Sequence, residues 1–361
     1  MAANERPERG LGQRLREAVT VRAALLVLGV FLLQLAFILS YVGALHHPEP
    51  HKIPLAVAAP QQQIADQVVD QLNELPGTPI DARRVADETA VRDEINQREV
   101  DAGLVVNPTA ATDHLLLAGA AGPALASVTV NVLSRAYSVQ GRELTVTDIK
   151  PVSSGDGRGL SSFYVVIGWM VGGYLVAAIL GLAGGARPAT FGRTIIRLTT
   201  LAVYAIASGW GGAVIVGPVL DALPGGFVSL WAVGALVVFA TAAATMAAQT
   251  IAGVVGIGVA ILAFVVLGNP SAGGPYPQPL LPTFWREIGP YLPPGAGTTA
   301  TRSVAYFDNA GAGQALWILA IYAIAGVLVT LVVARLLRRD RGRRSEPGSE
   351  SAGERSEAPE S

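Results

Sequence analysis

The chain has 361 residues, 51% of them hydrophobic, with 26 basic side chains against 27 acidic ones and a formal net charge of −1. Several apolar runs of about twenty residues place it among polytopic membrane proteins, and the balanced charge gives no basis for nucleic-acid binding. With no cysteine, disulfide and thiolate chemistry are excluded.

Residues 1–22 are polar and basic, and Leu11, Leu15, Ala18 and Val19 fall at helical spacing among Arg6, Arg9, Arg14, Arg16 and Arg22. This predicts an amphipathic arm on anionic lipid, with a solvated tail as the alternative. Ala23–Leu45 is too long for a signal peptide and reads as a first membrane span. The exit HHPEPHK holds His46, His47 and His51, which with Glu49 are weak metal-ligand candidates. Pro48 and Pro50 keep this stretch extended, so an ordinary polar exit is the competing reading.

Residues 46–161 have the composition of a separate α/β domain. Strands are expected at Ile53–Ala59, Ala102–Val106, Leu115–Leu117 and Leu144–Ile149, and helices at Gln61–Leu75, Asp87–Arg98 and Pro123–Tyr137. Arg83, Arg84, Arg92 and Arg98 interleave with Asp87, Glu88, Asp93 and Glu94 as a solvated, ion-paired face. Ser153–Gly157 reads as a flexible linker.

The second span, 162–183, and its exit carry Gly168, Gly172, Gly181 and Gly185, small residues that permit close helix packing in lipid. The loop 186–197 holds Arg187, Arg193 and Arg197 around Phe191, Ile195 and Ile196. A third span follows, ending at Pro218. Phe227–Leu267 is apolar for about twice the length that crosses a bilayer, so it is read as two spans joined by a tight turn near Ala248–Gly253, with Gln249 and Thr250 as the natural turn residues. A last span, 314–334, precedes a basic run and a Ser/Glu/Pro/Gly tail expected to be disordered. Six spans put the basic arm, loop and tail on one face, so both termini are expected in the cytoplasm.

Between the fifth and sixth spans lies a segment, 268–313, rich in proline, glycine and aromatics. Non-helical backbone beside a bilayer must pack on protein or face water, so it reads as a shaped cap. Its sequence, Gly268-Asn269-Pro270, then Leu281-Pro282-Thr283-Phe284-Trp285, then Ile288-Gly289-Pro290-Tyr291-Leu292-Pro293-Pro294 and Arg302, resembles the last extracellular segment of type 2 ABC-transporter permeases. The similarity is to the phage-infection-protein-like bacterial branch. It implies short re-entrant helices at Pro282–Ile288 and Gly297–Asp308, and a cap site of Pro282, Phe284, Trp285, Pro290, Tyr291, Pro293 and Arg302. It also implies that loop 186–197 is an ATPase-coupling element, with Arg187, Phe191, Arg193, Ile195 and Arg197 in contact with the partner.

No G-x-x-x-x-G-K-[ST] loop occurs in the chain, so ATP is expected to act on a separate ATPase subunit and the chain itself is not expected to be an enzyme. The expected molecule is the permease subunit of an exporter of amphipathic or hydrophobic cargo. It would sit in the bacterial cytoplasmic membrane among its lipids, as a homodimer or as a heterodimer with a sister permease. The alternative is a membrane-anchored envelope scaffold whose outer domain engages cell-wall, protein or phage partners.

Overall fold

A computed structural model describes residues 20–185 and 190–344. The basic arm, Arg187 and the tail from residue 345 lie outside the described residues.

Helix α1, Val21–Leu45, leads into the α/β domain. There the order is β1 (Ile53–Ala58), α2 (Gln62–Asn73), β2 (Ile80–Arg84), α3 (Glu88–Asn96), β3 (Ala102–Val105), β4 (Thr112–Leu117), α4 (Pro123–Val139) and β5 (Glu143–Asp148). The sheet order is β2-β1-β3-β4-β5, antiparallel only between β3 and β4. Every predicted strand and helix of this domain is present within a few residues. The expected set lacked β2, whose sequence Ile-Asp-Ala-Arg-Arg is too charged to read as a core strand.

The sheet is covered on both faces, which explains why β1 is a continuous apolar run rather than an alternating one. Ile53, Leu55 and Val57 pack with Leu104, Leu115, Leu72 and Leu133 beneath α2 and α4. Ala56 and Ala58, pointing the other way, pack with Leu116, Val91 and Ile95 of α3.

Among the described residues, five helices are long and apolar enough to cross a membrane: α1, α5 (Ser161–Gly184), α6 (Phe191–Val214, continuing as a π-helical turn to Val219), α7 (Phe227–Ala252) and α11 (Gly313–Arg344). The expected fifth span is shorter. Helix α8 (Val255–Ile261) runs on as π-helix only to Gly268. The reversal before it falls at the end of the expected stretch Ala248–Gly253, but not at the expected residues. Gln249 and Thr250 are buried inside α7, and the chain turns at Gly253, whose φ of +63° suits glycine. Helix α7 is the hub of the bundle, packed against α5, α6 and α11 around Trp169, Met170, Val237, Val238 and Leu319.

The predicted cap helices are present as α9 (Thr283–Ile288) and α10 (Pro293–Tyr306). Helix α10 begins on two prolines, which need no backbone donor in a first turn. It is buried along nearly its whole length, wedged between the sheet domain and α5, α7 and α11. That placement follows from its small residues; a Cβ on Gly297 would meet Val166 and Val237.

Candidate functional site

Two ends of the bundle bring functional candidates together. At the sheet end, the cap completes the α/β domain rather than resting on it. Leu280 is fully buried in the core layer under α2 and α4, and Phe307 is buried in the opposite layer with α3.

Polar contacts lie between these two apolar anchors. Arg98, in left-handed conformation (φ +62°) just past the end of α3, donates from Nη1 to Ser303 Oγ at 2.6 Å and to the Thr299 carbonyl at 3.2 Å. Its guanidinium also lies 5.1 Å from the centre of the Phe307 ring. The predicted solvated face therefore omits one member, since Arg98 is turned into the cap. Arg83 and Arg92 do pair with Glu94, Glu99 and Glu88, as expected of an ion-paired face.

The stretch Ser153–Gly157 is a structured corner, which corrects its reading as a flexible linker. Asp156 is buried; its carboxylate accepts from the Ser161 N–H at 2.9 Å, capping α5, and from the Tyr306 hydroxyl at 2.9 Å. Arg302 is 4% exposed, donates from Nη1 to the Gly273 carbonyl at 3.3 Å, and leaves Nη2 without a partner. Burial, then the nearby Arg98 charge, push its pKa down to about 10, opposed by Asp156, Tyr306 and Asp101. Burial likewise pushes Asp101 up to about 6 against the pull of Arg98 and Arg302. The Tyr306 hydroxyl is raised by burial and by the Asp156 carboxylate.

The other cap candidates separate by exposure. Pro293 is buried at the start of α10, Pro282 precedes α9, and Pro290 sits in the short 3-10 turn Gly289–Tyr291. Phe284 and Tyr291 are exposed, with Trp285 edge-on to Phe284 at 4.8 Å. Tyr164 and Trp317, on the first turns of α5 and α11, are exposed at the same end. Exposed aromatics at one level are the pattern of a membrane–water interface.

The histidines do not converge on a metal site. The His46 ring lies 2.9 Å from the Val42 carbonyl through Nδ1, and His47 pairs with Glu49 at 3.0 Å. The His51 backbone N–H donates to the Pro279 carbonyl of the cap. Among the described residues no group of three or more potential ligands could hold a metal ion.

At the opposite end, Phe191, Arg193, Ile195 and Arg197 are not on a separate coupling helix. Thr190 caps α6 by accepting from the Arg193 N–H at 3.3 Å, so all four occupy the first two turns of that long helix. Arg197 donates from Nη1 to the Gly185 carbonyl at 2.9 Å, satisfying the end of α5. The Arg335 guanidinium of α11 lies 5.1 Å from the centre of the Phe191 ring. Arg193, Ile195 and Ile196 are exposed. The ends of α5 and α6 thus meet α11 at one corner with an apolar and basic surface.

The glycine set divides in the same way. Gly172 lies against the Tyr204 hydroxyl and Gly181 against the Gln249 amide, both close approaches. Gly185 is the C-cap of α5 at φ +83°, and a Cβ on Gly168 would meet nothing within 4 Å, so Gly168 does not pack a helix pair as expected. Gly168 instead opens a cleft of about 560 Å³ between α5 and α6, lined by Tyr164, Trp169, Ser208, Gly211 and Leu220 among others. This cleft and the corner at Phe191 lie towards opposite ends of the same two helices.

Arg98, Asp101, Asp156, Tyr306 and Phe307 were not signalled as site residues by the sequence. Their roles depend on segments far apart in the chain, with no local spacing to mark them. Compared with known proteins, the chain matches no family model, no curated protein and no solved structure.

Proposed function

We propose that this chain is the membrane-spanning permease subunit of an ABC exporter, moving amphipathic or hydrophobic cargo with a separate ATPase subunit. In this reading the basic corner faces the bacterial cytoplasm together with both termini. The sheet domain and cap face outward, and the protein works as a dimer. The continuity of α6 carries the proposal. One continuous helix joins the exposed Arg193 and Ile195 to the apolar cleft beside Trp169 and Ser208.

A partner pressing on the corner acts on three spans together, because Arg197 binds the end of α5 and Phe191 meets Arg335 of α11. Motion there tilts α5 against α6 and changes the width of the cleft, a shear of packed helices. The π-helical turn Ile215–Val219, with Pro218 inside it, gives α6 a bend point next to the cleft. Residues Tyr164, Tyr291 and Trp317 set the level of the outer interface.

The test is purification of the tagged full chain from its native membrane in mild detergent, with identification of co-purifying proteins. An ATPase carrying a phosphate-binding loop should be recovered, and its recovery should fall sharply with Arg193→Glu. Recovery of envelope proteins alone, unchanged by the variant, would instead favour the scaffold reading.

A further inference from the structure

Glycine makes the cleft between α5 and α6. A Cβ on Gly168 or on Gly211 would meet nothing within 4 Å, whereas one on Gly212 would run into the Trp169 indole. The two open glycines line the cleft from its two walls, and Trp169 is its last lining residue on α5. From Ser161 to Trp169 the cleft follows α5 for about 12 Å at the rise of a helix. That is less than half of a hydrocarbon core of roughly 30 Å. The cleft thus belongs to one leaflet, on the side of the exposed Tyr164.

Its polarity runs one way. The Ser161 and Tyr164 hydroxyls stand at the outer end, and Val165, Ile215 and Val216 line the walls with carbon. Deeper in, Ser208 is the one polar lining residue besides Trp169, and its carbonyl already receives the Trp169 indole N–H at 3.2 Å. Charge is confined to the rim. Asp221 sits between the lining Leu220 and Ala222, and its carbonyl accepts from Ser153 Oγ at 3.3 Å. This contact brings the corner that carries Arg158, just before the lining Ser161, to the same rim. Arg158 and Asp221 are both exposed, and neither has an ion-pair partner among the described residues.

We infer that the cleft holds one acyl chain of an outer-leaflet phospholipid with a zwitterionic head, its phosphate towards Arg158 and its ammonium towards Asp221. Cleft and chain agree in depth and polarity, and rim and head agree in charge. A water-soluble cargo would leave its polar groups unpaired against these walls. Lipid tails are as apolar as the walls, so a chain gains little on entering and leaves as readily. That suits a path more than a store. The inference rests on the exporter reading in calling this side outward and this lipid cargo, whereas occupancy of the cleft needs no ATPase.

The test uses the full-length chain in vesicles containing a phosphatidylethanolamine with a mid-chain diazirine, irradiated and mapped by peptide mass spectrometry. Adducts are expected at Val165, Ile215 and Val216 of the cleft, and at the exposed Leu39 and Val42 of α1, which report bulk lipid. Gly168→Leu combined with Gly211→Leu should abolish the cleft adducts, leaving those on α1 and the unfolding temperature unchanged. Phosphatidylglycerol with the same chain should label the cleft less and α1 equally. Absence of cleft adducts in the parent while α1 is labelled would overturn the inference, as would their persistence in the double variant or equal cleft labelling by the two lipids. Since the chain has no cysteine, Gly168→Cys supplies a single thiol. Efficient disulfide-linked dimerisation through it would also overturn the inference, by assigning the cleft to a second copy. Recovery of an ATPase is measured separately, so failure here is distinguishable from failure of the exporter reading.

Discussion

The two ends of the helical bundle are built on different principles. At the sheet end the connections are interlocked: Leu280 and Phe307 enter opposite core layers of the α/β domain, while Arg98 and the Asp156–Tyr306 pair fix the polar ground between them. At the other end, among the described residues, Arg197 holds the end of α5 and Arg335 lies by the Phe191 ring beside a small apolar cluster of Ala177, Leu198, Leu201 and Met246, with Arg193, Ile195 and Ile196 left uncovered. The difference teaches that the sheet domain and cap form one body. Relative movement of the spans is expected at the opposite end, which lacks such interlocking.

The largest effects should come from breaking the interlocked end. Phe307→Ala should cost about 3–5 kcal/mol and Leu280→Ala about 2–5 kcal/mol, read as lowered unfolding midpoints of the purified protein. A small loss for both would mean that the domain and cap are not one unit. Tyr306→Phe should cost less, about 1–3 kcal/mol, because it leaves the buried Asp156 carboxylate short of a donor. Arg197→Ala, at the other end, should cost about 1 kcal/mol while leaving the sheet domain's hydrogen exchange unchanged.

The smallest effect is a pH dependence. Asp101 titrates near 6 in the folded protein, above its ordinary value of 3.8. Burial therefore penalises the ionised form, and the penalty is present above pH 6 and relieved as pH falls through that value. The stability difference between Asp101→Asn and the parent should favour the variant at pH 7 and shrink towards pH 4. A difference that grows with acidification would show that Arg98 and Arg302 outweigh burial at this carboxylate.

Much of this architecture could be read in the sequence. The strand Ile53–Ala58, the helices flanking it and the long apolar spans follow from local periodicity, so they were found. Helices also lie where resemblance put them in the cap, although α10 begins at Pro293 rather than Gly297. The misplaced features depend on tertiary context. Gln249 looks like a turn residue because an amide inside lipid is costly, yet it packs against Gly181 and remains helical. Ser153–Gly157 has the composition of a linker, but Asp156 is held by a tyrosine a hundred and fifty positions away. Arg98 reads as one more charge on a polar helix; only its left-handed backbone past the end of α3 turns it into the cap. The bundle's short α8 was hidden because periodicity does not reveal where an apolar helix shifts to π-helical turns.

The most direct test of the central claim, that the Phe191 corner receives a driving partner, is photocrosslinking in native membranes from a photoreactive residue replacing Arg193. The account predicts a discrete adduct with a nucleotide-hydrolysing protein, absent when the photoreactive residue replaces exposed Tyr291 at the other end. Adducts with lipid alone at position 193, or the same protein adduct from both positions, would contradict it.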